Sequence, residues 1–289
     1  MSAPIASIVV VGAGTMGSGI ALTAAQSGIA ALQCDVSAAQ LDKARAYHAK
    51  TLARLVEKQK LTAADATAVA ARITYGADFA AAKDAGCIIE AASENPEVKK
   101  KLFKSFADSF APGTILATNT SSISITDIAT ATGARASDVI GMHFFNPVPI
   151  MKLVEVIRGL ATSDATLERT LALAKAMGKT PVPANDRAGF VSNRVLMPMI
   201  NEAFHAWMGG VAKPEDIDQI MVLGCNFPMG PLRLADFIGL DVCHDIMMVL
   251  YRELGDPKFF PCPLLRQLVT AGRLGDKTGR GVFEYPAKG

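Results

Sequence analysis

The sequence predicts an α/β protein: a doubly wound domain over residues 1–186, followed by a smaller all-α domain over residues 187–289. Three observations carry this. A glycine-rich turn closes the first apolar run. Short Val/Ile-rich runs alternate with longer helical patterns as far as Arg158, and from Ala188 onward almost everything has helical spacing. Strands that are apolar throughout, in alternation with helices, indicate a parallel sheet covered on both faces.

Element by element, "SIVVV" (7–11) is an uninterrupted apolar run and reads as the first strand; the alanine-rich pattern near 15–28 suits the helix after it. "AALQC" (30–34) is the next strand, followed by a helical pattern near 37–60. "GCIIEAA" (86–92), "TILAT" (114–118), "DVIGMHF" (138–144) and "KLVEVI" (152–157) are further strands, with helices near 95–110 and 124–132. Asn95-Pro96 marks a helix start, a capping amide before a proline at the first helical position. "SDATLERTLALAKAMG" (163–178) is one more helix. The Pro and Gly of "KTPVPANDRAGF" (179–190) mark a connection, and "FVSNRVLMPMINEAFHAWM", "KPEDIDQIMVLG" and "ADFIGLDVCHDIMMVLYREL" are helices of the second domain.

Composition narrows the function classes. Of 289 residues 50% are hydrophobic and 19% charged, with a formal net charge of +2. So weak a charge gives no reason to expect nucleic acid or a membrane surface as partner. The N-terminal stretch has no charge before Asp35, but Gly, Ser, Thr and Gln punctuate it and basic flanks are missing. Neither a spanning helix nor a secretory signal is expected there. Five dispersed cysteines without a C-x-x-C spacing argue against a disulfide framework and for reduced thiols in the cytoplasm. Cys243-His244 has no second pair near it, so no metal site is expected.

Chemistry first appears at "VVVGAGTMGSGIA" (9–21). Gly12-x-Gly14-x-x-Gly17 follows a strand and opens a helix, the context a phosphate-binding turn requires. Gly12 permits the tight turn, Gly14 lets the backbone approach a pyrophosphate, and Gly17 allows close helix–strand contact. The loop residues Ala13, Thr15 and Met16 complete the anion cradle at the helix N-terminus. Asp35, at the end of the next strand, stands where a carboxylate bonds a ribose 2′-hydroxyl and repels a 2′-phosphate, favouring NAD over NADP. The domain is therefore read as Rossmann-like.

His143 lies near the C-terminal end of an expected strand, the edge where ligands of open α/β sheets sit. Glu155 lies inside the next strand, between Val154 and Val156, where an ionised carboxylate is costly without a partner. Paired with His143 it would fix the imidazole tautomer and stabilise the protonated form. On sequence context alone, a histidine at a strand end also has a purely structural reading.

"GAGTMGSGIA", "ATNTSSISI", "GMHFFNPVPIMKLVEVI", "DRAGFVSNRV", "FPMGPLRLADFIGLD" and "LGDKTGRGVFEY" together resemble the 3-hydroxyacyl-CoA dehydrogenases, above all the short bacterial 3-hydroxybutyryl-CoA dehydrogenases. The similarity spans nearly the whole chain. It implies a His143–Glu155 acid/base pair, with Ser121 and Asn193 holding substrate oxygens. It places cofactor contacts on the glycine loop, Asp35, Glu94, Lys99, Ser121, Asn146 and Lys277. Lys43, Arg45 and Lys50, on the helix after Asp35, are candidates for the coenzyme A tail of an acyl-CoA substrate. A homodimer through the C-terminal helices is also implied.

Without the resemblance, Lys99-Lys100-Lys101 reads as a solvated helix face, Ser122 or Ser124 as a helix cap, and His48, His205 and His244 as structural or surface residues. Asp276 departs from the family pattern, which favours a basic residue before "KTG". Two rival functions share the general plan: a dehydrogenase of free 3-hydroxy acids, and a non-catalytic NAD-binding protein of the crystallin kind. The first generally relies on a catalytic lysine, and the second needs only the glycine loop and Asp35.

Overall fold

The computed structural model describes residues 4–79 and 82–286. The chain divides into two compact units, Met1–Asp186 and Arg187–Gly289.

The first unit holds one sheet of eight strands: β1 (Ser7–Val11), β2 (Ala30–Cys34), β3 (Ile73–Gly76), β4 (Cys87–Glu90), β5 (Ile115–Thr118), β6 (Val139–Phe144), β7 (Leu153–Arg158) and β8 (Thr180–Asn185). Their spatial order is β3-β2-β1-β4-β5-β6-β7-β8. The first six strands run parallel in the doubly wound order, reversing direction of travel between β1 and β4. Expectation and structure part at β7, which pairs antiparallel with β6. The reason is the short loop 145–152, since a parallel return needs a crossover of about a dozen residues or more.

The prolines of 179–190 point to a connection, but part of that stretch is strand β8. It pairs with β7 alone, at the sheet edge. The amides of Thr180 and Asp186 donate to the Lys152 and Arg158 carbonyls, so even-numbered N–H groups face β7. Pro181 and Pro183 then fall on the open side, where no donor is required.

Helices cover the sheet. α1 (Thr15–Gln26) follows β1, and α2 (Ala38–Glu57) follows β2 with Ser37 as its cap. The pattern expected near 37–60 breaks at Gln59, whose φ is +54°, and a separate α3 (Ala63–Ala71) begins behind the Thr62 cap. Both α3 and β3 are additions to the elements expected from the sequence. α4 (Pro96–Ser109) starts as Asn95-Pro96 predicts, the Asn95 side chain accepting from the Glu97 and Val98 amides. α5 (Ile125–Ala129) is capped by Ser124, and α6 (Asp164–Ala176) by Ser163. The core of this unit joins Ile8, Val10, Ile20, Ile89, Ile115, Ile140, Val154 and Val156 across the sheet.

The second unit is helical: α7 (Ser192–Met208), α8 (Pro214–Cys225), α9 (Pro231–Ile238), α10 (Leu240–Leu254) and α11 (Pro263–Thr270). Its own core includes Met197, Ile200, Phe204, Leu232, Leu240, Met247, Leu250 and Leu265. Buried Asp236 fastens the chain end, accepting from the Val282 and Phe283 amides and the Tyr285 hydroxyl. Among the described residues no helix is long and apolar enough to cross a membrane.

Candidate active site

The glycines of the first turn do different work. Gly12 has φ +111°, and a Cβ there would lie 2.5 Å from the Ala91 carbonyl oxygen. A Cβ on Gly17 would stand 2.0 Å from the Gly12 oxygen, so that contact holds α1 against the end of β1. A methyl group placed on Gly14 would meet nothing within 4 Å. Gly14 is also the N-cap of α1 and offers it no side chain. First-turn amides without a side-chain cap, beside an open approach, suit a bound anion.

Asp35 closes this loop. One carboxylate oxygen accepts the Ala13 amide at 2.8 Å and the other accepts Ser37 at 2.9 Å. From behind, buried Gln33 donates to the Gly12 carbonyl and the Ser18 hydroxyl. Thr15 and Met16 form the first turn of α1. Open space at Gly14 and an anchored carboxylate at the end of β2 fit a dinucleotide whose ribose carries a free 2′-hydroxyl.

At the adjoining ends of β4 and β5 lies a cluster only partly legible in the sequence. Glu90 is fully buried. Its Oε1 accepts the Ala92 and Ser93 amides, and its Oε2 accepts Lys99 Nζ at 2.5 Å and the Thr118 hydroxyl at 2.8 Å. Lys99 is 1% exposed, which corrects its reading as part of a solvated face. Its ammonium also lies 3.5 Å from Glu94 Oε2. Glu94 Oε1 in turn accepts the Thr120 hydroxyl, the Ser122 hydroxyl and, at 2.8 Å, the Ser121 amide. Asn119 accepts the Phe144 amide, joining this loop to the end of β6. Glu90, Thr118, Asn119 and Thr120 carry the geometry, and sequence reasoning misses all four. A carboxylate closing the apolar run Cys87-Ile88-Ile89 is the signal that could have found Glu90.

The antiparallel pairing of β6 and β7 sets His143 directly opposite Glu155. Opposed residues of such a pair share a face. His143 Nδ1 and Glu155 Oε2 are 2.8 Å apart, and both side chains are buried. The Phe145 ring packs 4.6 Å from the imidazole, centroid to centroid. Nδ1 faces the carboxylate, so any proton this imidazole passes to a ligand goes through Nε2. Asn146 is exposed in the loop that follows.

Lys43, Arg45 and Lys50 lie on the exposed side of α2, the Arg45 guanidinium 4.1 Å over the Tyr75 ring. Two expected residues belong to the second unit. Asn193 is buried near the start of α7, and Lys277 is ion-paired with Asp241 at 2.6 Å. Asp276, the departure from the family pattern, holds Arg233 through two parallel hydrogen bonds.

Residues 7–187 match the NAD binding domain of 3-hydroxyacyl-CoA dehydrogenase, and residues 189–285 match the C-terminal domain of the same family. A probable 3-hydroxybutyryl-CoA dehydrogenase of Bacillus subtilis is 54% identical over 97% of this chain and 98% of its own length. A 3-hydroxybutyryl-CoA dehydrogenase of Clostridioides difficile is 47% identical over 96% of this chain and 99% of its own. Among solved structures, the (S)-3-hydroxybutyryl-CoA dehydrogenase of Ralstonia eutropha superposes with a TM-score of 0.95 at 50% identity, covering 98% of this chain and 99% of that one.

Proposed function

The chain belongs to the 3-hydroxyacyl-CoA dehydrogenase family, and on that premise we propose that it interconverts 3-hydroxybutyryl-CoA and acetoacetyl-CoA with NAD. The observation that carries the mechanism is the buried His143–Glu155 pair at 2.8 Å. In oxidation His143 Nε2 takes the 3-hydroxyl proton while Nδ1–H donates to Glu155, whose charge stabilises the imidazolium as it forms. NAD, when bound, supplies the acceptor for the hydride that leaves C3. In reduction the imidazolium returns its proton to the oxygen of the 3-oxo group.

The other assignments follow the family resemblance. Ser121 and Asn193 hold substrate oxygens; the glycine loop, Asp35, Glu94, Lys99, Ser121, Asn146 and Lys277 meet the cofactor. Lys43, Arg45 and Lys50 meet the phosphates of the coenzyme A tail. We assign the chain to the cytoplasm, supported by its five free cysteines, and to a homodimer formed through residues 187–289.

His143→Gln tests the reading. Turnover should fall roughly 10²–10⁴-fold, the scale of general acid–base catalysis, with NADH still bound. Glu155→Gln keeps an acceptor for Nδ1–H but removes the charge. A hydrogen bond to a charged group contributes about 1.5–3 kcal/mol, so the loss should be about 10–100-fold. Either variant retaining more than half the wild-type kcat would remove the pair from its role.

A further inference from the structure

Past the last rung between β5 and β6, a single side chain continues the sheet. We propose that Asn119 is a positioning residue, which tethers the end of β6, and with it His143, to the Ser121 loop. The catalytic consequence rests on the dehydrogenase reading, and the tether on geometry alone.

β5 pairs with β6 only as far as Thr118 and Gly141, while β6 runs on to Phe144. Along its other edge β6 stays paired to the end, with His143 opposite Glu155 and Phe144 opposite Val154. The Phe144 amide turns to the edge that β5 has left, in a residue 2% exposed. A buried amide without an acceptor is costly. Asn119 Oδ1 accepts it at 2.9 Å and so stands in for the missing strand. The Asn119 main chain is itself fixed, its amide donating to the Glu90 carbonyl at 2.8 Å. One residue thus fastens the ends of β4, β5 and β6.

The bond falls on the peptide that joins His143 to Phe144. Glu155 fixes the imidazole from the β7 side, and Asn119 fixes the backbone that carries it from the β5 side. Asn119 also stands two residues before Ser121, whose amide is tied to Glu94. The hydroxyls on either side, of Thr118 and Thr120, donate to Glu90 and Glu94 instead. In the proposed reaction His143 and Ser121 serve the same substrate, and this tether sets their spacing. Spacing of that kind governs rate, since a misplacement of about 1 Å can cost about 100-fold.

Asn119→Ala removes the acceptor and Asn119→Asp keeps one in the same place; together they test the tether. Amide exchange over residues 141–146, read by mass spectrometry on the NAD-free protein, should quicken at least tenfold in Asn119→Ala and stay within about threefold of wild type in Asn119→Asp. NADH affinity, read by fluorescence titration, should stay within about threefold in both. For acetoacetyl-CoA, kcat per NADH-binding site should fall at least tenfold in Asn119→Ala with KM within about threefold, and Asn119→Asp should recover at least a third of the wild-type value. A purely structural part for Asn119 would lower the number of NADH-binding sites and leave kcat per site unchanged, which overturns the proposal. Asn119→Asp as slow as Asn119→Ala, or a tenfold loss of NADH affinity in Asn119→Ala, overturns it as well. Asn119→Ser, whose hydroxyl stops one bond short of the Phe144 amide, supplies the same contrast where the alanine variant does not fold. Exchange is read without turnover: an inactive wild type would refute the dehydrogenase reading, whereas unchanged exchange over 141–146 refutes the tether whatever the activity.

Discussion

Gly14→Ala separates the fold from the ligand at a single atom. A methyl on Gly14 meets no protein atom within 4 Å, and the backbone there (φ −73°, ψ −172°) suits any residue. Gly→Ala at a compatible position stabilises by about 0.4–1 kcal/mol through the unfolded chain, and alanine is poorer than glycine at an N-cap by about the same amount. The two nearly cancel, so the melting temperature should stay within about 3 °C of wild type. The ligand has no such latitude. The methyl would occupy the approach of a pyrophosphate to the first-turn amides, and one charge-assisted hydrogen bond lost there costs about 1.5–3 kcal/mol. NADH affinity should fall about 10–100-fold. Gly17→Ala is the contrast: its Cβ would stand 2.0 Å from the Gly12 oxygen, so stability and binding should fail together. Fluorescence titration with NADH and a thermal melt on the same preparations read both quantities. Gly14→Ala binding NADH within about threefold of wild type would show that no phosphate approaches this backbone, and the account of the loop would be wrong.

Two further outcomes follow from particular carboxylates and rings. Asp35 should make kcat/KM higher for NADH than for NADPH, and Asp35→Ala should narrow that ratio at least tenfold; equal values in the wild type would show that the carboxylate does not discriminate. His48 is buried, with Nε2 2.8 Å from the Ser18 carbonyl oxygen and Nδ1 2.7 Å from the Tyr75 hydroxyl. That carbonyl can only accept, so Nε2 carries the proton and Nδ1 accepts from Tyr75. Burial lowers its pKa below the ordinary value of 6.5. As pH falls below about 6.5 the unfolded chain binds a proton the folded chain refuses, so stability is lost from there down to the folded pKa, at up to about 1.4 kcal/mol per pH unit. His48→Gln lacks that component, so its deficit against wild type in urea unfolding should shrink between about pH 7.5 and about pH 5.5, either side of the unfolded pKa. An equal deficit at both pH values would contradict a neutral buried imidazole.

What the sequence makes legible follows from how local the physics is. The strands 7–11, 30–34 and 139–144 are largely apolar runs, and the Asn95-Pro96 start of α4 is written in adjacent residues. β8 escapes such a reading because its prolines are tolerable only at a sheet edge, and edge position is a property of the assembled sheet. β3 escapes it because the four residues "ITYG" are too few to carry a period. At the site, His143 and Glu155 stand out because a carboxylate between valines needs a partner, and the β6–β7 register supplies it. Glu90 sends the same signal, yet its meaning depends on Lys99 folding inward from α4. A run of three lysines hides which one is buried.

Steady-state reduction of acetoacetyl-CoA by NADH, set beside free acetoacetate, tests the central claim most directly. The reacting ends are nearly alike, so any difference reports contacts to the coenzyme A tail, whose binding energy can orient the reacting centre beside His143. The account predicts a far higher kcat/KM for the thioester. It also predicts a KM for the thioester that rises with salt, since Lys43, Arg45 and Lys50 are exposed and their attractions are screened within about 10 Å at 0.1 M. Comparable kcat/KM for free acetoacetate would contradict it and make the chain a dehydrogenase of free 3-hydroxy acids.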